Sequence, residues 1–339
     1  MRRADPIAAG PQPAFTKGMG ELDEVRHRPF VQAPFGKALV EVAQREPRIV
    51  GLTADLARYT DILPFAEAFP ERFFNLGMAE QALVGTAAGL AKAGFLPFAT
   101  TYAVFATRRA FDFVAVQIAK SHLPVVLACG LPGLTTGYGA THQGIDDLAL
   151  MAAIPGLAVV DPCDATELQQ VVAAAVREPQ PVYLRIQRGN VPVVLDPATY
   201  RFAFGEARLL REGGEVGIVS TGLATERALD AALALGRRGL EVAVLHVPSL
   251  APFDAAAVVT LARRVRLLVT AEHHLTEGGL GTRVIEALYA AGIHRPLRRV
   301  GIPMRYIECG AVPTLQDRYG LTAPRIAGVV EELLREITP

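Results

Sequence analysis

Glu80 is a lone carboxylate near the start of a predicted helix, Met78–Ala93, whose other residues are almost all apolar or small. A charge near a helix N-terminus is common, because the helix dipole favours it. Here, however, the neighbouring residues leave no polar face for the charge, and a carboxyl group without a partner is costly to ionise in an apolar setting. Such an acid can exchange a proton with a bound ligand. The pattern therefore predicts a catalytic carboxyl group.

Two aromatic residues, Tyr102 and Phe105, follow the predicted strand Leu96–Thr100, which comes directly after this helix. Aromatic residues also pack in ordinary cores, but two of them just beyond a strand end are typical of the wall of a binding site. We therefore expect Glu80 and the two rings to bind one flat ligand.

Glycine-rich motifs for phosphate or dinucleotide binding are absent from the sequence, which contains neither GxxxxGK[ST] nor GxGxxG. The nearest candidates are Ser220–Gly222 and Gly278–Gly281. Both lie at predicted strand-to-helix junctions, where glycine is expected for geometry alone. A NAD-linked enzyme is therefore poorly supported.

Composition and charge exclude several functional classes. The 339 residues are 51% hydrophobic, contain no Trp and carry a formal net charge of zero, so a nucleic-acid-binding surface is not expected. The three cysteines are odd in number and far apart, which is typical of a reducing compartment and of neither a disulfide framework nor a metal knuckle. No apolar run reaches the roughly 20 residues of a membrane span. We expect a cytoplasmic protein without a membrane partner.

Runs of Val, Leu and Ile alternate with helical patterns along most of the chain. Continuous apolar strands between helices indicate parallel sheets that are covered on both faces. The predicted fold class is therefore α/β, with two tandem α/β/α domains and mostly parallel sheets. The expected divisions are a flexible N-terminal arm (1–30), a first domain (31–190), a linker (191–205) and a second domain (206–339).

Several motifs stand in an order typical of one enzyme family. The central one is FNLGMAEQALVGTAAGLAKAGFLPFATTYAVF, and it is accompanied by GLTADL (51–56), GYGATHQ (137–143), VVDPCDATEL (159–168) and YLRIQRGN (183–190). Residues 33–339 resemble the C-terminal half of the transketolase family, that is, its pyrimidine-binding and C-terminal domains. The AEQ-centred motif is specific to the family. Two segments in the second half are weaker indicators of it: GEVGIVSTGLATERALDAA and LLVTAEHHLTEGGLG.

The resemblance implies a thiamine diphosphate cofactor and a role for each matching residue. Glu80 would bind the pyrimidine ring nitrogen and promote the proton transfers that activate the cofactor. The other residues implied to bind the cofactor are Asp55 and Leu56 on the thiazolium side, Tyr102 and Phe105 as the stacking wall, and Arg108. Arg108 stands where one branch of the family has arginine and another has tyrosine.

The resemblance also implies substrate contacts. His142, in the THQ motif, would contact substrate oxygens and assist catalysis, since histidine can transfer protons near neutral pH. Arg188 would bind a sugar phosphate, because a planar guanidinium suits two-point contact with an oxyanion. Tyr138 would face the substrate where transketolases carry a donor-recognising aspartate. His273 and His274 are interpreted as structural.

Three departures from the transketolase pattern bear on specificity. Tyr138 replaces the aspartate, Gly130 stands where a further substrate histidine occurs, and Tyr59 replaces a serine that helps to hold phosphate. The identity of the sugar, and whether both substrates are phosphorylated, therefore stay open.

The family's diphosphate site uses a GDG motif followed by Asn about thirty residues later, and these 339 residues contain no such motif. We therefore expect the second subunit of a split transketolase, paired with a separately encoded N-terminal transketolase subunit that holds most of the Mg²⁺ contacts, as an α2β2 assembly. No metal ligand is predicted in this chain. A stripe of small residues at helical spacing would allow close helix contact, between chains or within one: Gly85, Ala88 and Gly89.

The leading functional prediction is transfer of a two-carbon ketol unit from a ketose, expected to be phosphorylated, to an aldose in carbohydrate metabolism of the pentose phosphate type. A decarboxylating subunit is the first alternative, similar either to deoxyxylulose-phosphate synthase or to the E1 β subunit of a 2-oxoacid dehydrogenase. A non-catalytic subunit that stabilises its partner is the alternative from another class.

Overall fold

Residues 28–337 are described by the computed structural model, and they form two large sheets with helices on both faces and one separate pair of strands. In the first half of the chain the elements are β1 (Phe30–Gln32), α1 (Pro34–Ala43), β2 (Ile49–Thr53), α2 (Leu63–Ala68), a 3₁₀ turn (Pro70–Arg72), β3 (Phe73–Asn75), α3 (Glu80–Lys92), β4 (Leu96–Tyr102), α4 (Ala103–Phe113) with a π-helical continuation (Val114–Ala119), β5 (Val126–Gly130), α5 (Asp147–Ala152), β6 (Ala158–Val160), α6 (Ala165–Arg177), β7 (Val182–Arg185) and β8 (Asn190–Pro192).

The second half continues the alternation of strands and helices. Its elements are β9 (Arg208–Arg211), β10 (Val216–Ser220), α7 (Ala224–Gly236), β11 (Val242–His246), β12 (Ser249–Ala251), α8 (Ala255–Arg264), β13 (Leu267–Leu275), α9 (Leu280–Ala290), β14 (Leu297–Ile302), α10 (Val312–Arg318) and α11 (Ala323–Ile337). Within residues 28–337, no helix has both the length and the hydropathy that a membrane crossing requires.

The first sheet has seven strands in the order β12-β6-β7-β5-β4-β2-β3, and all but the edge strand β12 run parallel. Strands β2, β4 and β5 are buried along their whole length, as expected for strands of a parallel sheet that is covered on both faces. Two apolar cores lie on opposite faces of this sheet, one around Phe35 and Phe98 and the other around Leu83 and Leu127. The parallel α/β prediction is confirmed.

The second sheet has five strands in the order β14-β13-β10-β11-β9, and the edge strand β9 is antiparallel. It too carries a core on each face. Aspartates begin two of the helices: Asp164 accepts the backbone N–H of Glu167 at 2.8 Å before α6, and Asp254 accepts that of Ala257 at 3.0 Å before α8.

The two halves share secondary structure. Strand β12 belongs to the second half by sequence but pairs with β6 of the first sheet. Strands β1 and β8 form a separate antiparallel pair, so residues 191 and 192 of the predicted linker are strand residues. Arg28, within the predicted arm, is bound to Glu226 at 3.1 Å and to Asp230 at 2.7 Å on α7. The rest of the predicted arm, residues 1–27, lies outside the described residues.

His273 lies in the contact between the two halves. It is buried, and neither of its ring nitrogens has a hydrogen-bond partner among the described residues. Its main chain packs directly against Gly133, where a Cβ would lie 2.2 Å from the His273 carbonyl oxygen. Burial, together with the charges of Arg227 and Arg185, lowers the pKa of His273 to about 3.

The low pKa of His273 predicts a pH-dependent loss of stability. An unfolded histidine has a pKa of about 6.5, so between that pH and about 3 the unfolded chain binds a proton that the folded chain does not. Stability should therefore fall as the pH falls through this window. We expect His273→Leu to reduce the loss between pH 7 and pH 4 by about 3 kcal/mol, as measured by urea denaturation at each pH.

The matched control is His294→Leu, which removes an exposed histidine of the same domain. Its free energy of unfolding should vary with pH as that of the wild type does. If His273→Leu lost as much unfolding free energy between pH 7 and pH 4 as the wild type, the prediction would be wrong.

Candidate active site

The carboxyl ends of neighbouring parallel strands meet at one edge of the first sheet. Asp55 and Leu56 follow β2, Tyr102 ends β4, Gly130 ends β5 and Arg188 follows β7. Because these four strands are adjacent in the order β7-β5-β4-β2, the residues after them lie along one edge. Ligands of open parallel sheets bind at this edge. The sheet therefore gathers residues that are far apart in the sequence.

Glu80 is the first residue of α3, so its helix begins two residues later than predicted. Its side chain is 5% exposed, and its place in the first turn puts the charge where the helix dipole favours it. Arg109 Nη1 donates to Glu80 Oε1 at 3.1 Å. The sequence pattern predicted an acid without a polar neighbour, and this partner was missed because α4 approaches α3 only in the folded chain.

Tyr102 and Phe105 form a small aromatic cluster beside this edge. Their ring centroids lie 5.7 Å apart. The His142 ring lies 5.4 Å from that of Phe105 and 6.2 Å from that of Tyr102, and Tyr138 lies 5.4 Å from His142. Burial raises the pKa of Tyr102, so its hydroxyl stays protonated at neutral pH. The structure thus brings four of the predicted site residues together.

The glycine-rich segment 130–144 is held by hydrogen bonds of its own backbone. Gly133 N–H donates to the Gly144 carbonyl at 2.7 Å, and His142 N–H donates to the Gly139 carbonyl at 3.0 Å. The His142 ring Nδ1 lies 2.9 Å from Thr141 Oγ1. These bonds give His142 and its neighbours a defined position above Phe105.

Arg108 binds this loop in the structure. Its guanidinium donates to both carboxylate oxygens of Asp146, at 3.1 and 3.0 Å, and to the Ala140 carbonyl at 3.2 Å. These contacts hold the loop that carries His142 against α4. The cofactor contact that the resemblance implies for Arg108 stays a prediction.

Asp55, Leu56 and Arg188 lie at the rim of the site. Asp55 has a positive φ of 60° and exchanges two 3.0 Å hydrogen bonds with the Asn75 side chain. Leu56 packs against the cluster that contains Tyr102. Arg188 is exposed and close enough to Tyr102 to act on its hydroxyl electrostatically.

The three departures from the family pattern lie in this region too. Tyr138 is 66% exposed and Tyr59 is 50% exposed, so both phenols are accessible. A Cβ at Gly130 would lie 3.5 Å from the ring of Tyr102 and from the backbone of Tyr59, which is ordinary contact. A larger residue could begin at this position without backbone strain, and it would point towards the aromatic cluster.

The stripe of small residues on α3 does not form a uniform surface. Ala88 is buried in the core of its own domain, and a Cβ at Gly85 would face Gln117 and Phe113 of the same chain. Gly89 is exposed and has open space around it. Packing within the chain thus explains why Gly85 and Ala88 are small.

A buried ionic network behind the site was missed by the sequence reasoning. Arg185 is 2% exposed and donates to both oxygens of Asp147, while its Nη1 donates to Asp161 at 2.9 Å. Tyr183 donates to Asp147 at 2.6 Å. Although burial opposes ionisation, Arg185 holds the pKa of Asp147 below its usual range, whereas burial prevails at Asp161 and raises its pKa. Arg185 stands within YLRIQRGN, yet the pattern did not show that it is buried.

Cys163, Glu167 and His246 form a second buried cluster, with potential metal-ligand atoms within 4.8 Å of one another. Glu167 is the centre of a hydrogen-bond network here. Glu167 accepts the Cys163 N–H at 2.7 Å and the hydroxyl of Tyr200, and it lies 2.8 Å from the ring nitrogen of His246. The cluster therefore joins the two halves of the chain by hydrogen bonds.

Comparison with known families matches residues 30–194 to the transketolase pyrimidine-binding domain and residues 205–326 to the transketolase C-terminal domain. The chain belongs to the transketolase family. Within this family, it is similar to the uncharacterized transketolase family protein y4mN of Sinorhizobium fredii, with 48% identity over 312 residues that cover 91% of this chain and 90% of that protein.

Two further relatives of the transketolase family differ in their lengths. A 1-deoxy-D-xylulose-5-phosphate synthase of Heliobacterium modesticaldum is 37% identical over 320 residues, which are 94% of this chain and 49% of that enzyme. The chain therefore spans about half of its length. A solved structure described as a split gene transketolase, inactive beta4 tetramer, is 41% identical with a TM-score of 0.83, and the match covers 91% of this chain and 99% of that one.

Proposed function

We propose that this chain supplies the pyrimidine-binding half of a thiamine diphosphate site in a split transketolase. The assembled enzyme would transfer a two-carbon ketol unit from a phosphorylated ketose to an aldose. The observation that carries the proposal is the buried carboxylate of Glu80, which Arg109 links to Phe105 of the aromatic pair Tyr102 and Phe105.

The residues present fit the pyrimidine part of the cofactor. The Tyr102 and Phe105 rings offer an aromatic face, and Glu80 offers a carboxyl group that is 5% exposed and therefore shielded from water. When bound, thiamine diphosphate supplies the carbanion chemistry by which a ketose can be cleaved next to its carbonyl group. Glu80 would hold the ring nitrogen and exchange a proton with it. Leu56 and Asp55 would border the adjoining ring.

The substrate end of the site would be formed by His142, Tyr138 and Arg188. His142 is held by its loop above Phe105, where a ring nitrogen can exchange a proton with a sugar hydroxyl. Tyr138 lies against His142 and is accessible for a hydrogen bond. Arg188 is an exposed guanidinium at the rim, which suits a phosphate group. Arg108 would act indirectly, by holding the loop.

A separately encoded N-terminal transketolase subunit would supply the diphosphate half of the site and most of the Mg²⁺ contacts, in an α2β2 assembly. The likeness to a split gene transketolase chain, of which the match covers 99%, supports this part of the proposal. The division of this chain into a first domain (31–190), a linker and a second domain (206–339) is part of the same proposal, because it assigns the cofactor to the first domain.

Reconstitution tests the proposed function. The full chain should show no turnover alone, and it should transfer glycolaldehyde units from a ketose phosphate to an aldose phosphate when mixed with a diphosphate-binding subunit, thiamine diphosphate and Mg²⁺. The products can be separated by chromatography. Tight binding of the cofactor by the isolated chain would contradict the shared site. A mixed complex that binds cofactor but converts no substrate would indicate a non-catalytic, stabilising role.

A decarboxylating reaction is the second candidate, and the 37% identity to a 1-deoxy-D-xylulose-5-phosphate synthase favours it. The same reconstituted complex distinguishes the two. Consumption of pyruvate with release of CO₂, in the absence of ketol transfer, would assign the chain to this branch.

A further inference from the structure

Arg109 contacts both of the groups that the proposed site offers to the pyrimidine ring. Its Nη1 lies 3.1 Å from Glu80 Oε1, and its guanidinium carbon lies 4.0 Å from the centroid of the Phe105 ring. The two contacts come from one side chain in one conformation. Arg109 therefore joins the acid to the aromatic wall.

A guanidinium group can make the same two kinds of contact as a heterocyclic ring, stacking on an aromatic face and hydrogen bonding to a carboxylate. It is planar and delocalised, it stacks on aromatic faces, and it presents N–H groups along its edge to a carboxylate. An aminopyrimidine ring is likewise flat and places nitrogen atoms along its edge. Arg109 thus presents to Glu80 and Phe105 the same kinds of surface as the ring would.

Glu80 needs such a partner whenever the ring is absent. A carboxylate that is 5% exposed loses most of its hydration, and leaving it unpaired is costly. Arg109 is 53% exposed at its side chain, so its charge can return to water when the contact is broken. Its neighbour Arg108 is held by Asp146 and the Ala140 carbonyl. Of the two arginines of α4, Arg109 is therefore the one whose side chain can leave its contacts and move into solvent.

We propose that Arg109 occupies the pyrimidine subsite as an internal ligand and that the cofactor ring displaces it. This inference depends on the proposed function, because it assigns the subsite to that ring. Binding must then break the contacts of Arg109 with Glu80 and Phe105. The apparent affinity for the cofactor is reduced by the fraction of molecules in which Arg109 is out of the way. Arg109 sets the cofactor affinity without being part of the final site.

Replacement of Arg109 by alanine in the full chain, assembled with its diphosphate-binding subunit, tests the inference. The dissociation constant of thiamine diphosphate, measured by calorimetry with Mg²⁺ present, should decrease about tenfold. The melting temperature of the cofactor-free chain should decrease, because Glu80 loses its partner. Arg48→Ala removes an arginine from an exposed ion pair with Glu46 and should change neither quantity measurably.

The same Arg109→Ala change in a Glu80→Gln variant tests whether the effect on stability comes from the Arg109–Glu80 ion pair. There, Arg109→Ala should no longer lower the melting temperature, because the carboxylate that needs a partner is gone. If the wild-type complex binds thiamine diphosphate but Arg109→Ala binds it no more tightly, this inference is wrong and the proposed function is unaffected. A wild-type complex that takes up no thiamine diphosphate overturns the proposed function and this inference together.

Discussion

Replacement of Glu80 by glutamine should lower the turnover of the reconstituted enzyme by a factor of about 10² to 10⁴. Glutamine has nearly the same shape, so it fits the same space, but an amide cannot exchange the proton that the proposed role of Glu80 requires. Steady-state rates at saturating thiamine diphosphate and Mg²⁺ measure the effect, and saturation separates slower chemistry from weaker cofactor binding.

Glu71→Gln is the matched control for this experiment. Glu71 precedes β3 on the same segment, and its side chain is 68% exposed, so the same exchange there should leave turnover unchanged. If Glu80→Gln retained full activity, the assignment of Glu80 as the catalytic acid would be wrong.

Arg185→Leu should cost about 3–5 kcal/mol of folding stability, because it leaves the carboxylates of Asp147 and Asp161 buried without their cation. Native domains are stable by roughly 5–15 kcal/mol, so the variant should have a much lower melting temperature and a lower soluble yield. Arg185→Lys keeps the charge but not the planar guanidinium, and it should recover part of the loss. Calorimetry or urea denaturation measures the difference.

An exposed ion pair provides the comparison for Arg185. Arg264 is bound to Glu212, and the two side chains are 46% and 71% exposed. Arg264→Leu should therefore cost less than about 1 kcal/mol. Equal losses in the two variants would show that the buried network contributes nothing beyond an ordinary surface pair.

The main elements of the fold could be predicted from the sequence because their signals are local. The predicted helix Met78–Ala93 corresponds to α3 (Glu80–Lys92), and the predicted strand Leu96–Thr100 corresponds to β4 (Leu96–Tyr102), since residues close together in the sequence mark both elements. Four short or antiparallel strands, β1, β8, β9 and β12, carry no such local signal. Three of them have three residues each, which is too short for a periodic pattern, and their pairing partners lie far away in the sequence.

The candidate site was predicted from residue types and a family resemblance, and the structure places Tyr102, Phe105, Tyr138 and His142 in one cluster. Their catalytic and binding roles stay predictions. The contacts of Glu80 with Arg109, and of Arg108 with Asp146, could not be predicted, because the residues in each pair lie on different elements. The family resemblance marked Arg108 but gave no ion-pair partner for it, and no local pattern marks Arg109.

Local sequence patterns thus account for the parallel α/β architecture and for an acid that is followed by aromatic residues, because strand runs, helix caps and strand ends depend on neighbouring residues. Tertiary packing alone decides which charges meet. Glu80 meets Arg109 because α4 packs on α3, and Arg185 meets Asp147 and Asp161 because the ends of the strands and helices around it converge. The energy of a charge depends on its depth and on its partners, and both are properties of the folded chain.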